Sequence, residues 1–127
     1  MNERFLFKGK RIDDKGWIVG NLLDHGNPLH PEIVKNYKSY KIYRETVCQS
    51  TGLTDDNGKM LFENDRCNLV AQSEDGEKIN TNGIVKWDFE DAGFYLETIY
   101  DKWPHIKFWF IKSIVNVENV HDMEEMS

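Results

Sequence analysis

Apolar and polar positions alternate along this chain in short runs, and no helical period longer than two turns emerges before residue 113. Residues 4–7 form a short apolar run ahead of Gly9 and predict a first strand. Trp17–Leu23 predicts a second, with Trp17, Val19 and Asn21 on one face and Ile18 and Leu22 on the other. Residues 13–16 supply the turn between them. Residues 24–39 carry loop chemistry, with one helical turn expected over 31–36 because Pro31 suits a first helical position. Strand-like residues return over 37–47. Residues 73–82 are polar throughout and predict a long mobile hairpin loop. Strands follow at 83–88 and 94–99 around a turn at 90–93, and two more at 107–111 and 113–117. From Asn119 the tail is acidic and reads as frayed or weakly helical. Many short strands with turns every 8–12 residues predict an all-β, mainly antiparallel chain with little helix. The pattern from residue 63 onward suits small bent β-barrel or sheet units of Src-homology-like type. One domain over residues 1–127 is expected, with a possible seam between an N-terminal hairpin region, 1–38, and a barrel region, 39–127.

The densest set of turn devices lies in residues 50–70. Gly52 gives a permissive backbone point between an extended run and a turn. Asp55-Asp56-Asn57-Gly58 is the strongest turn, and Asn-Gly predicts a tight type I′ geometry. Met60, Leu61 and Phe62 are apolar. Glu63-Asn64-Asp65 then predicts a second turn with Asn64 left-handed, after which residues 66–70 leave as a strand. The acidic groups here are expected to shape turns before they serve chemistry.

The same residues carry a resemblance. Thr51-Gly52-Leu53-Thr54-Asp55-Asp56-Asn57-Gly58-Lys59, followed by Phe62-Glu63-Asn64-Asp65, resembles the signature of the YopX family of bacteriophage and prophage proteins, T-G-L-x-D-x-N-G-K-x-I-[FY]-E-G-D-I-V. Phe7-Lys8-Gly9-Lys10-Arg11-Ile12-Asp13 and Trp17-Ile18-Val19-Gly20-Asn21-Leu22 are similar to that family's opening. Gly83-Ile84-Val85-Lys86-Trp87 and Ala92-Gly93-Phe94-Tyr95-Leu96 are similar to its later pair, in the family's order. Asn64 stands where the family has Gly, a change the left-handed position tolerates. Arg66-Cys67 replaces Ile-Val, and the family's closing Gly and Pro are missing after Ile114. The resemblance implies a phage or prophage accessory protein in the bacterial cytoplasm and names no activity.

Composition and charge narrow the function. Hydrophobic content of 39% with 13% aromatic is too high for a disordered chain. No apolar run reaches membrane-spanning length, and the opening MNERFLFKGKR lacks a secretory signal's apolar core. Cys48 and Cys67 are expected to be reduced structural thiols. Residues 1–44 hold nine Lys/Arg against five Asp/Glu, a net of +4; residues 45–127 hold seven against seventeen, a net of −10, and together they make the −6 of the chain. The acidic half argues against broad phosphate-backbone binding and suits a basic partner, or the basic end of another copy.

Candidate chemistry is sparse. His25 and His30 lack the Cys pair of a zinc knuckle, and residues 55–58 lack the frame of a calcium loop, so no metal or cofactor is expected. Asp55, Glu63 and Asp65 can converge if the two turns lie side by side, but no phosphate loop, nucleophile elbow or triad order accompanies them, and no enzyme is expected. Trp87, Phe89, Phe94, Tyr95, Trp103, Phe108, Trp109 and Phe110 are more aromatic bulk than one core readily conceals, and Trp87, Phe94, Trp103 and Trp109 with Glu90 and Asp91 make the candidate interaction surface. In Phe108-Trp109-Phe110 a half-buried strand would leave Trp109, or the two Phe residues, on the outer face. The favoured expectation is a non-enzymatic interaction module that self-associates or binds a host or phage protein. The alternative is nucleic-acid binding through Lys8, Lys10, Arg11, Lys15 and Trp17.

Overall fold

The computed structural model describes residues 6–24, 26 and 29–124. Among the described residues strand takes up 60% and helix 8%, in two antiparallel sheets that do not close into a barrel, so the all-β expectation holds while the barrel is not formed. The chain divides into two compact units, Met1–Gly52 and Leu53–Ser127. Residues 39–52, which the sequence groups with the later part, pack with the first unit.

In the first unit β1 (Phe7–Lys10), β2 (Trp17–Leu23), β3 (Glu32–Lys35), β4 (Lys38–Lys41) and β5 (Cys48–Thr54, its last two residues beyond the boundary) lie in the order β4-β3-β2-β1-β5. The first strand runs later than expected, since Phe7 to Lys10 pair with Gly20 to Trp17; residues 4 and 5 of the expected strand lie outside the described residues. Two glycines let the layers approach: a Cβ on Gly20 would strike the Val34 carbonyl oxygen, and one on Gly9 would strike the Ile42 side chain. Ile18, Ile33 and Ile42 form the buried centre.

Two further expectations for this unit need correction. Residues 31–36 form no helical turn: Ile33 is fully buried at the middle of β3, paired with Tyr40 on one side and Leu22 on the other. A β-branched pair between two available strand edges outweighs the local bias of Pro31. The chain then turns through Asn36 and Tyr37, both at positive φ (52° and 65°), into the short strand β4. The expected run over 37–47 is therefore broken, and Arg44–Thr46 is a 3-10 turn.

In the second unit β6 (Met60–Phe62) follows the first turn. The sheet comprises β7 (Asp65–Gln72), β8 (Lys78–Asp88), β9 (Gly93–Thr98), β10 (His105–Lys107) and β11 (Ile111–Asn119), in the order β10-β9-β8-β7-β11. Alternation decides its faces: Asp65, Cys67, Leu69 and Ala71 of β7 are buried while the residues between them are less so. Cys67, Leu69 and Ala71 build the main core with Leu61, Val85, Leu96, Ile106 and Ile114.

Here too the structure departs from the pattern reading. Residues 73–82 are no long loop. Ser73 and Glu77 close a tight turn through Glu77 O, Gly76 sits at φ 90°, and Lys78 already pairs with Gln72. Side-chain hydrogen bonding by Ser73 and Asp75 makes a polar run compact. Phe108–Phe110 is a 3-10 turn between β10 and β11 instead of a strand. The acidic tail opens as a short helix, α1 (Val120–Glu124). Among the described residues no helix is long and apolar enough to cross a membrane.

Candidate functional site

The turn signature becomes a latch for the last strand. The loop after Thr54 is a three-residue hairpin connection: Gly58 donates to Asp55 O and Asp55 to Lys59 O, with Gly58 at φ 80° and Asn57 at ordinary negative φ. The expected type I′ turn, which needs positive φ at two positions, is thus replaced by a tight turn ending in a left-handed glycine. Asp55 explains the choice. Its Oδ1 accepts the N–H groups of Asn57 and Lys59, both at 2.9 Å, and its Oδ2 accepts that of Asn116 at 2.8 Å. Asp56 extends the same contact, its N–H donating to Ile114 O and its Oδ2 accepting Ile114 N–H.

The second turn places Asn64 at φ 71°, left-handed as the sequence predicts. Its N–H donates to Val85 O, its carbonyl accepts Val120 N–H, and its side-chain oxygen lies 3.4 Å from Lys86 Nζ. Asp65 beside it is fully buried. Its Oδ2 accepts Phe62 N–H and Asn116 Nδ2, both at 2.7 Å, and its Oδ1 accepts Asn119 Nδ2 at 3.0 Å. Glu63 joins through its carbonyl, which also accepts from Asn119 Nδ2. Gly52, in the first unit, has φ 78° and donates to Ser50 Oγ.

Asp55 and Asp65 therefore do converge, on Asn116, with Glu63 contributing backbone alone. Asn116 and Asn119 are the residues that sequence reasoning missed. A signal was present: asparagine is poor in strands, yet Asn116 stands inside the β-branched run Ile114-Val115-Asn116-Val117 and Asn119 follows two residues later. Asn119 also caps α1: its side chain accepts His121 N–H, and Asp122 returns to its backbone N–H.

The electrostatics follow from this hydrogen bonding. Burial pushes the Asp55 carboxyl up, but the N–H groups of Asn116, Lys59 and Asn57 together outweigh it, and the carboxyl sits below its ordinary value. The Cys67 thiol is pushed up to about 12, first by burial and then by the charges of Asp65 and Asp55. Among the described residues no three His, Cys, Asp or Glu side chains gather as a metal-binding group.

The aromatic candidates fall into two ring clusters. Half-buried Trp87 stands edge-on to Phe94 at 4.8 Å and to exposed Phe89 at 6.4 Å. Glu90 and Asp91 lie exposed in the adjoining turn, where Asp91 is held by Lys107 Nζ at 2.8 Å. In the other cluster Trp103 packs on Phe110 at 5.2 Å, and Trp109 leans on Phe110 at 5.8 Å. The 3-10 turn directs Phe108 and Phe110 onto the core and leaves Trp109 74% exposed. Trp103 and Phe110, with Tyr100 and Ile79, line an open groove of about 510 Å³ together with the acidic turn of Glu74, Asp75 and Glu77; Lys102 is the one basic group among the described residues lining it.

The nucleic-acid candidates are partly used up within the first unit. Lys8 Nζ lies 4.4 Å and Lys10 Nζ 5.3 Å from the Trp17 ring centre, and Lys10 is buried. Arg11 is apart from them, stacked over Tyr40 and bonded to Asp13. Lys15 is exposed in the turn.

A family model, that of the YopX protein, matches residues 9–122. No curated protein and no solved structure matches the chain.

Proposed function

Because the chain belongs to the YopX family, we propose that it is a phage or prophage accessory protein of the bacterial cytoplasm, working as a non-enzymatic interaction module that associates with copies of itself. The observation that carries this reading is Trp109. A 74% exposed indole leans on Phe110, which with Trp103 lines an open groove edged by polar residues, and an aromatic centre with a polar rim suits a protein interface. The carboxylates favour the same reading. Asp55 and Asp65 spend their oxygens on backbone and asparagine donors, which suits holding β11 in place better than moving protons. Nucleic-acid binding through β1 and β2 has less support, since two of its lysines lie over Trp17 and Arg11 is paired with Asp13.

The test is mass in solution. Light scattering of the wild-type chain is expected to give a mass above 15.0 kDa that rises with concentration, and Trp109→Ser to shift that rise to higher concentration. A single 15.0 kDa species at every concentration would exclude the proposal.

A further inference from the structure

The turn between β3 and β4 breaks two local rules at once. Lys35 pairs directly with Lys38, which leaves Asn36 and Tyr37 as a two-residue loop with φ 52° and 65°. Such a loop favours Asn followed by Gly, and a bulky aromatic in the left-handed region is strained. Tyr37 is 104% exposed, so packing within the fold does not offset that strain. Lys35 and Lys38 are both exposed, and like charges directly across a ladder repel. Departures of this kind gather where a chain meets something else. A slot for a ring, edged with negative charge, would bury the exposed tyrosine and offset the paired lysines, and that gain can outweigh the backbone strain.

The chain carries such a slot. The groove beside Trp103 and Phe110 has aromatic walls, and Glu74 and Glu77 stand exposed on its rim. We infer that the Tyr37 turn of one molecule enters the Trp103 and Phe110 groove of another, with Lys35 and Lys38 facing Glu74 and Glu77. This rests on the self-association proposed above and names its contact. The charge of the chain favours it: residues 1–44 carry +4 and residues 45–127 carry −10, so a tip from the first set and a groove from the second attract. Tyrosine suits such a tip, giving large contact area with few rotatable bonds.

Two charge-reversed chains provide the test, read by light scattering or sedimentation. One carries Lys35→Glu with Lys38→Glu; the other carries Glu74→Lys with Glu77→Lys. Each alone is expected to weaken association at least about tenfold. Mixed in equal amounts they are expected to assemble again, because the first retains a native groove and the second a native tip. Tyr37→Gly, which suits the turn and leaves the fold intact, is expected to lose association as well, while Tyr37→Phe keeps it. If the wild-type chain assembles but none of these changes matters, this contact is wrong and self-association stands. If the wild-type chain stays monomeric, both fall. A monomeric chain whose Tyr37 turn instead binds an oligodeoxythymidine probe would also overturn the contact, and assign the tip to single-stranded nucleic acid.

Discussion

Tyr37 and Asn64 occupy the same unusual backbone region, at φ 65° and 71°, for different reasons. Asn64 is a residue type that tolerates it, and its backbone and side chain are all engaged there. Tyr37 tolerates it poorly and has full exposure. Replacing Tyr37 by Gly is therefore expected to stabilise the chain by about 1 kcal/mol in urea unfolding, whereas Asn64→Val is expected to destabilise it. Cys67 gives a second single-residue test. With its thiol pushed up to about 12 and its side chain fully buried, it holds almost no thiolate near neutrality. Site-resolved alkylation at pH 8 is expected to leave Cys67 unlabelled in the native chain and to modify it as urea unfolds the protein. Prompt labelling without denaturant would contradict that burial.

The strand β11 is held by side chains of the two turns as well as by its partner β7. Asp65 is the centre of that hold, accepting from Phe62, Asn116 and Asn119 while fully buried. Asp65→Ala would strand three donors, and a loss of about 3–5 kcal/mol is expected in urea unfolding. Asn119→Ala removes a helix cap and two turn contacts together, with an expected loss of about 2 kcal/mol and faster amide exchange in β11. Asp55 adds a pH dependence with a definite sign. Its folded carboxyl lies below the ordinary value of 3.8, because hydrogen bonds from Asn116, Lys59 and Asn57 outweigh burial. The stability it contributes is thus complete above pH 3.8 and is lost as pH falls below that through the folded value. Asp55→Asn is expected to flatten the acid limb of a stability-against-pH curve; an unchanged limb would show that Asp55 does not control it.

For the molecule as a whole, the division of charge outweighs its total. A net of −6 keeps copies apart on average, while the +4 and −10 portions attract each other across molecules. The proposed association is accordingly expected to weaken from 50 to 500 mM salt, by screening over a Debye length that shrinks from roughly 14 Å to about 4 Å. Insensitivity to salt would point to an interface made by Trp109 and its neighbours alone.

Residue types settled a good deal before any fold was known. Turns at 13–16, 55–58 and 90–93, the left-handed Asn64, β2 with its bounds and the all-β class were all legible, because each depends on backbone sterics within a few residues or on a two-residue period. The membership signature lay in the same turns. The tertiary structure decided what local rules cannot reach. Asn116 and Asn119 meet Asp65 across 51 and 54 positions of sequence, and only the register of β11 on β7 brings them together. Residues 31–36 became a strand because flanking edges needed one, and residues 73–77 became a tight turn, with 78–82 in β8, because β7 and β8 continue their ladder to Lys78. Local sterics choose where a chain bends; long-range pairing chooses which of its polar groups are left to meet.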